Sequence, residues 1–233
     1  MKYKSYLKEG DYLKIYAING SPRKNGNTGK LCEAFLNGAA SSENIEIELI
    51  HLVQVGFKGC MSCYTCKLDD DKYYGKCNIK DNLSPILEKL SDADGILFAS
   101  PIYFGEVTSL MRSFIERFLF PFNSYEKGWR HIAPKRMPTA VIYDMNITQE
   151  YFEVSNYQPI LHYFERCIER IFTKPEHMYV YDTCQFDDYS KYRAENFHEE
   201  HKKNRQKLVF PKDCNQAYRM GACMAKRAIK GQL

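Results

Sequence analysis

A short hydrophobic run leads directly into a polar loop that contains two glycines, and a helix-forming run follows. The hydrophobic run covers residues 12–18, the loop NGSPRKNGNT covers 19–28, and the helix-forming run begins near Lys30. A strand, a small polar loop and a helix N-terminus in this order point backbone N–H groups at an anion. Gly20 and Gly26 permit backbone angles that a side chain would forbid. The stretch therefore predicts a phosphate site, and the alternative is an ordinary strand-to-helix turn.

The residue types that this loop lacks exclude several classes of phosphate-containing ligand. A nucleoside-triphosphate loop needs G-x-x-x-x-G-K-[ST], but five residues separate Gly20 from Gly26, and Asn27 and Thr28 stand where Lys and Ser/Thr would. The dinucleotide fingerprint G-x-G-x-x-G and a phosphatase cysteine are also missing from the loop. Amides, hydroxyls and the Arg23 guanidinium remain as donors, which suits one terminal phosphate group.

Composition excludes several classes of protein. The 233 residues are 44% hydrophobic and 27% charged with a formal net charge of +4, which is typical of a globular domain and argues against a nucleic-acid partner. No apolar run is long enough to span a bilayer, and residues 1–12 lack the apolar core of a signal peptide, so we expect a cytoplasmic protein. Nine cysteines, an odd number, indicate thiols or metal ligands rather than a disulfide framework.

Strand and helix patterns alternate along the chain. Strand patterns occur at 12–18, 45–52, 95–99, 138–144 and 178–181. Helix patterns occur from Lys30 to Gly38, at 83–90, 107–118 and 159–172, and from about Tyr192, where Pro211 divides the helical stretch in two. This alternation implies right-handed crossovers and a five-stranded parallel sheet with helices on both faces. We predict a single α/β domain over 1–233, with a cysteine-rich loop at 59–77 and a helical C-terminal extension from about 186.

The loop after the third strand pattern is aromatic, and the helix at 107–118 follows it. This helix has the clearest buried stripe in the sequence, and Arg112, Glu116 and Arg117 lie on its other side. In parallel sheets the ligand lies beyond the carboxyl ends of the strands, so this loop should share one site with the loop 19–28. A phosphate loop beside an aromatic loop suits flavin mononucleotide (FMN). Alternatively, the aromatic side chains of this loop belong to the core or to a subunit interface and do not contact a ligand.

Three segments resemble the flavodoxin-like NAD(P)H-dependent FMN reductases, a family that includes the iron–sulfur flavoproteins. They are the loop 19–28, the cysteine-rich pieces GCMSCYTC and GKCNIKDN within 59–82, and DADGILFASPIYFGEVTSLMRSFIERF at 92–118. The segments FDDYSKY (186–192) and FPKDCNQAYRMG (210–221) resemble the tail of some longer members. The resemblance covers the first half of the chain closely, and it implies a flavodoxin-like three-layer sandwich.

The resemblance also implies a set of cofactor-binding residues. The FMN phosphate would be held by Ser21, Arg23, Asn27 and Thr28. The isoalloxazine ring would be lined by Pro101, Ile102, Tyr103, Phe104 and Gly105. A third flavin-side loop would begin at Asp144 and Met145, where family members often have a glycine that this chain lacks. Because the flavin carries the redox chemistry, no catalytic side chain is named. His51, His131, His162 and His177 stand alone in the sequence and are interpreted as structural.

Four cysteines form the spacing C-x2-C-x2-C-x10-C, namely Cys60, Cys63, Cys66 and Cys77. Four thiolates match the ligand count of a [4Fe–4S] cluster and also of tetrahedral zinc. The resemblance favours the cluster. Two features oppose it: the last gap is longer than in those relatives, and it contains the acidic residues 69–71. The alternative is that the four residues are thiols without metal.

Three functions follow, in order of preference. The first is an FMN-binding oxidoreductase that passes electrons from NAD(P)H to a small acceptor such as a flavin, a quinone or another aromatic molecule. The second is an iron–sulfur flavoprotein that couples FMN to a [4Fe–4S] cluster as an electron carrier. The third is a non-catalytic module that binds a phosphorylated ligand or zinc. The resemblance further implies a homodimer or a homotetramer.

Overall fold

A computed structural model describes residues 12–128 and 130–232. The expectation about an export signal concerns residues 1–12, of which all but the last lie outside the described part. The strands are β1 (Leu13–Asn19), β2 (Ile45–His51), β3 (Gly95–Tyr103), β4 (Glu106–Val107), β5 (Thr139–Asp144) and β6 (Glu176–Val180). The helices are α1 (Asn27–Ala39), α2 (Ser84–Ser91), α3 (Ser109–Leu119), α4 (Gln149–Val154), α5 (Gln158–Ile171), α6 (Glu199–Leu208) and α7 (Phe210–Ile229).

Five strands form one parallel sheet in the order β2-β1-β3-β5-β6. In the centre, Ile18 of β1 pairs with Ile50 of β2 and with Phe98 of β3. The predicted five-stranded parallel sheet is confirmed, and the order of its strands is that of the flavodoxin-like fold. The chain switches from one side of β1 to the other after β2, which places the ligand crevice beyond the ends of β1 and β3. The short strand β4, antiparallel to β3, was not predicted.

Helices cover both faces of the sheet, so the fold is the predicted three-layer sandwich. On one face, α2, α3 and α5 pack over a core that includes Tyr16, Phe98 and Phe114. On the other face, α1 and α7 pack over a core that includes Ile15 and Phe35. The predicted stripe of α3 is confirmed, because Met111, Phe114, Ile115 and Phe118 are buried, but Val107 lies in β4 before the helix begins.

The C-terminal helix α7 packs against α1 so closely that two glycines are required. A Cβ atom on Gly38 would lie 1.9 Å from the carbonyl oxygen of Tyr218, and one on Gly221 would lie 1.8 Å from that of Phe35. The helical stretch does divide in two, but at Val209 and not at the predicted Pro211, which stands in the first turn of α7 where a missing N–H is tolerated. The C-terminal residues therefore complete one layer of the sandwich. None of the described helices is long and apolar enough to cross a membrane.

Candidate functional site

A cleft of about 460 Å³ opens beyond the carboxyl ends of β1 and β3. The first loop contributes Ser21, Arg23, Asn25, Gly26, Asn27, Thr28 and Lys30 to its lining. The loop after β3 contributes Pro101, Ile102, Tyr103 and Phe104. The remaining lining residues are Asp144, Asn146, the segment 183–187 and Gln206. The structure thus brings the two predicted loops together at one site.

The N-terminus of α1 opens into this cleft without a capping side chain. Gly26 is the N-cap residue, and the first turn carries no acidic residue. The first intrahelical bond runs from the Lys30 amide to the Gly26 carbonyl, so the earlier amides of the turn have no helical acceptor. A Cβ atom on Gly29 would lie 2.2 Å from the carbonyl oxygen of Lys24, which explains the glycine there. Free amides and the helix dipole make this end a site for an anion.

Backbone contacts fix the two loops to each other. The Gly20 amide donates to the carbonyl of Ala99 at 2.8 Å, and the Thr108 hydroxyl donates to the carbonyl of Gly20 at 2.7 Å. The same Thr108 hydroxyl accepts a hydrogen bond from the Met111 amide and so caps α3. The first loop, β3 and the start of α3 therefore form one connected unit.

Asp144 connects α1 to the end of β5 from below the cleft. The Thr28 hydroxyl donates to Asp144 Oδ2 at 2.9 Å, and the Thr183 hydroxyl donates to Oδ1 at 2.8 Å. Burial raises the pKa of Asp144, although both hydroxyls oppose this shift. Since a hydroxyl has one proton, Thr28 cannot donate to a phosphate while it donates to Asp144. The Thr28 hydroxyl therefore holds the first turn of α1 against Asp144, and the Thr28 amide stays directed at the cleft.

The segment 183–187 crosses the cleft next to the phosphate loop. Arg23 Nη1 donates to the carbonyl of Gln185 at 2.7 Å, and Asn27 Nδ2 donates to the carbonyl of Cys184 at 2.9 Å. Asn146 Nδ2 donates to Gln185 Oε1 at 2.8 Å. Each of these donor groups keeps further N–H bonds that can reach a phosphate.

Asn146 belongs to the third loop that the resemblance implied, but sequence reasoning missed the segment 183–187 and Gln206. The only available signal was the adjacent tail motif at 186–192. Buried Lys202 of α6 holds the third loop in place, because its ammonium group donates to the carbonyl of Asn146 at 2.6 Å and pairs with Asp182. Helix α6 therefore closes the side of the cleft that the sequence left unassigned.

The aromatic loop after β3 is a tight hairpin. Tyr103 pairs with Glu106, so Phe104 and Gly105 form a two-residue turn with φ of 52° and 79°. Positive φ at both positions is typical of a type I′ turn, and it is uncommon for a bulky residue such as Phe104. The turn leaves the Phe104 side chain fully exposed and Tyr103 about half exposed at the mouth of the cleft.

Two of the proposed cofactor-binding residues lie behind the cleft and do not line it. A Cβ atom on Gly105 would lie 3.0 Å from the Tyr157 ring, so this residue packs against protein. Met145 is buried in the apolar core, and its backbone pairs with Val180 and Thr183. Both residues therefore shape the site from behind.

The four motif cysteines line one small cavity beside the C-terminal half of α3. Cys66 is buried, Cys60 and Cys77 are half-buried, and Cys63 is exposed. All four are free thiols. The ten-residue gap does return Cys77 to the other three.

Contacts at both ends of the gap explain this return. The Gly75 amide donates to the carbonyl of Cys66 at 3.1 Å, and the Tyr74 hydroxyl donates to Glu126 Oε1 at 2.7 Å. The ammonium group of Lys67 donates at 2.6 to 3.1 Å to three carbonyls that follow α3, those of Phe120, Pro121 and Asn123. The acidic residues 69–71 line a different cleft, together with Lys67 and Tyr125, and do not face the cysteines. These acidic residues therefore do not argue against a cluster at the four cysteines.

Arg117 is a buried cation in the wall of the cysteine cavity. Its Nε donates to Cys77 Sγ at 3.0 Å, and its two Nη atoms form a bidentate pair with Asp81 at 2.8 and 3.1 Å. Nη1 also donates to the carbonyl of Lys58 at 2.9 Å. The sequence placed Arg117 opposite the apolar stripe of α3, and this side is covered by the cysteine loop. A buried guanidinium beside sulfur suits an anionic group.

The two candidate metals require different separations of their sulfur ligands. Around one tetrahedral zinc ion with Zn–S bonds of about 2.3 Å, the sulfurs would lie roughly 3.8 Å apart. Within the described chain, no three of the cysteine sulfurs lie within 4.8 Å of one another. A [4Fe–4S] cluster places each thiolate on a different iron, so its ligands are farther apart than those of one ion. The Thr65 hydroxyl lowers the pKa of the Cys63 thiol, whereas burial raises that of Cys66. The four residues supply the number of thiolates that a [4Fe–4S] cluster requires, at one cavity.

A flavodoxin-like sandwich with an uncapped helix N-terminus and an aromatic hairpin at one cleft defines the class of FMN-binding oxidoreductases. The sequence model of NADPH-dependent FMN reductase matches residues 13–133, more than half of the chain. The chain belongs to this family.

Two similar archaeal proteins are named iron–sulfur flavoproteins. The one from Methanocaldococcus jannaschii is 40% identical over 105 residues, which are 45% of this chain and 51% of that protein. The one from Archaeoglobus fulgidus is 37% identical over 105 residues, which are 45% of this chain and 48% of that protein. The chain thus spans about half the length of the curated relatives that it matches.

Solved structures share the fold at low sequence identity. An NAD(P)H:quinone oxidoreductase from Methanothermobacter marburgensis has a TM-score of 0.67 and 12% identity, covering 91% of this chain and 98% of that chain. An FMN-dependent NADH-azoreductase from Bacillus anthracis, solved in complex with FMN, has a TM-score of 0.60 and 13% identity, covering 92% and 98%. Identities this low show the fold alone.

Proposed function

We propose that the protein is an FMN-dependent oxidoreductase that also holds a [4Fe–4S] cluster on Cys60, Cys63, Cys66 and Cys77. The observation that carries the proposal is the position of Cys77, which shares one cavity with the other three cysteines despite the long gap. The archaeal relatives are named iron–sulfur flavoproteins, which also supports a cluster. This reverses the order of preference drawn from the sequence, because the gap was the main argument against the cluster.

In this proposal the cleft binds FMN with its phosphate at the N-terminus of α1. Ser21, Arg23 and Asn27 would hold the phosphate together with the free amides of the first turn. Pro101, Ile102, Tyr103 and Phe104 would line the ring, while Thr28, Gly105, Asp144 and Met145 would position these groups. Bound FMN supplies hydride and single-electron chemistry. The chain orients the ring and controls access to it.

Helix α3 lies between the two sites. Its N-cap, Thr108, contacts the phosphate loop, and Arg117 near its other end contacts Cys77. Arg117 lies nine positions after Thr108, a rise of roughly 14 Å in an α-helix. One rigid element therefore fixes the separation of the flavin cleft and the cysteine cavity, which supports a coupled function.

Anaerobic purification tests the proposal. We expect brown protein with about four iron and four sulfide per chain in addition to FMN. Cys77→Ser should lose most of the iron and keep its FMN. Cys223→Ser, which changes an exposed cysteine on α7, is the matched control and should keep both. Equal iron content in the two variants, or flavin colour alone in the unmodified chain, would contradict the cluster.

The second candidate is the reduction of a small aromatic or quinone acceptor by NADH or NADPH without a cluster. The exposed Tyr103 and Phe104 at the mouth of the cleft favour it, because they leave room for a flat molecule on the flavin. The FMN-loaded Cys77→Ser protein separates the two candidates. Rapid bleaching of its flavin by either nucleotide, with full quinone turnover, would show that the cluster is not required.

Assembly and location remain part of the proposal. The fully exposed Phe104 beside the cleft supports a homodimer or a homotetramer that covers it, and light scattering of the FMN-loaded protein tests this. All nine cysteines are free thiols, which supports a reducing compartment such as the cytoplasm.

A further inference from the structure

Two histidines and a glutamate converge at the edge of the sheet, outside both sites described above. His162 and Glu165 lie on α5, and His177 lies on the edge strand β6. One ligand atom from each residue lies within 4.8 Å of the other two. This cluster was not predicted, because His162 and His177 stand 15 positions apart in the sequence and were each interpreted as structural.

The geometry of these three residues fits a metal ion. Positions i and i+3 share one face of a helix, so His162 and Glu165 point the same way. The distance from Glu165 Oε2 to His177 Nδ1 is 3.2 Å. Ligand atoms on a tetrahedral zinc ion at about 2.0–2.1 Å would lie roughly 3.4 Å apart. Only a small shift of side chains is needed to close the triad around an ion.

The residues behind the triad hold the carboxylate in place. Glu165 is buried, and its Oε1 accepts a hydrogen bond from the buried Tyr143 hydroxyl at 3.2 Å. The Tyr179 ring lies 5.0 Å from the His177 ring, and its hydroxyl is buried without a hydrogen-bond partner in the described residues. Metal-binding carboxylates are commonly oriented by such outer hydrogen bonds.

A plain ion pair between Glu165 and His177 would explain two of the three residues. It would leave His162 unexplained, because the ring of His162 makes no hydrogen bond within the described chain. The rings of His162 and His177 lie with their centroids 5.7 Å apart, so the His162 ring belongs to the same cluster. A shared cation uses both rings in their neutral form.

We propose that His162, Glu165 and His177 bind one divalent transition-metal ion, such as Zn²⁺. Two imidazoles and one carboxylate are a zinc ligand set that leaves a fourth position for water or another ligand. The side chain of His177 is 34% exposed, so this position faces solvent. The ion would join the edge strand β6 to α5.

The substitution His162→Gln tests the site, because His162 has no hydrogen bond to lose and the fold should be unchanged. Zn²⁺ binding is measured on the full chain by equilibrium dialysis with elemental analysis. The four motif cysteines are the same in all variants, so the difference between variants isolates the triad. We expect His162→Gln to bind one Zn²⁺ fewer per chain at a Zn²⁺ concentration that fills the site in the unmodified chain. His198→Gln, an exposed histidine remote in sequence, is the control and should bind like the unmodified chain.

A Co²⁺ titration gives the second readout. The triad should add ligand-field absorption without a thiolate-to-cobalt charge-transfer band, and both His162→Gln and His177→Gln should lose this absorption. The ion-pair explanation predicts instead that His162→Gln changes nothing. Zinc stoichiometry and cobalt spectra that are the same in His162→Gln and in the unmodified chain would overturn the proposal.

Discussion

The flavin cleft and the cysteine cavity are built in different ways. The cleft is formed mainly where regular elements end, at the carboxyl ends of β1, β3 and β5 and at the first turn of α1. The cavity is formed by a loop that is held against the side of α3 by Arg117 and Lys67. A site at the ends of strands follows from the topology of the sheet, whereas a site under a loop depends on a few long-range contacts.

The buried charges of the two regions also differ in sign. Asp144 lies under the cleft, and burial raises the pKa of its carboxyl group. Arg117 lies under the cysteine loop, where it holds the pKa of Asp81 below its usual value. The cleft therefore buries an unpaired acid between two hydroxyls, whereas the cavity buries a cation in a bidentate ion pair. Substitutions at these charges should act in opposite directions.

The largest effect is expected for Arg117→Met. The Arg117 side chain is fully buried, and its removal leaves Asp81 and Cys77 without their donor. Breaking a buried ion pair costs about 3–5 kcal/mol, and we expect the lower end because the Asp81 side chain is 20% exposed. Urea unfolding should show this loss, and iron reconstitution should fall with it.

The control for this substitution lies on the same helix. Arg112 pairs with Glu106, and both side chains are about one-third exposed, so Arg112→Met should cost less than about 1 kcal/mol. Similar losses of stability in the two variants would mean that the buried pair does not hold the cysteine loop.

A smaller effect is expected for Gly29→Ala in the cleft. The new Cβ would lie 2.2 Å from the carbonyl oxygen of Lys24, and a backbone atom cannot rotate away as a side chain can. We expect FMN affinity to fall by at least tenfold and stability by about 1–3 kcal/mol. Flavin fluorescence titration measures the affinity.

Gly59→Ala is the matching substitution in the cysteine loop. Its Cβ would meet only the side-chain ends of Glu116 and Ser113, at 3.2 Å, and these can move. Iron content should therefore stay unchanged, with a stability change within about 0.5 kcal/mol. If Gly29→Ala bound FMN normally, the phosphate would not lie at the N-terminus of α1.

The contrast between a site at strand ends and a site under a loop also explains what could be predicted from the sequence. The spacing of apolar and polar residues was enough to predict the sheet, the stripe of α3 and the meeting of the two loops. These features depend on the order of strands and helices and on the topology of the sheet. The segment 183–187 and the Thr28–Asp144 contact could not be predicted, because they depend on where the chain passes after the last strand. The burial of Arg117 was missed because a helical stripe shows which face is apolar but not what covers the polar face. His162 and His177 likewise meet only through the pairing of α5 with the sheet edge.

The smallest effect is expected for Asp144→Asn, and its sign distinguishes the cleft from the cavity. The pKa of Asp144 is higher in the folded chain than in the unfolded chain, so its ionised form opposes folding at neutral pH. This unfavourable contribution disappears as the pH falls through the raised pKa. The asparagine variant should therefore be more stable than the unmodified chain at neutral pH, on the order of 1 kcal/mol, and the difference should shrink in acid.

The Asp144→Asn variant should also bind FMN a few-fold more tightly, because a negative charge is removed from beneath the phosphate site. Asp187→Asn removes a charge from the exposed rim of the same cleft and should leave stability unchanged. Asparagine keeps one oxygen that can accept from Thr28 or Thr183, so weaker FMN binding by Asp144→Asn would mean that losing the second acceptor outweighs removing the charge.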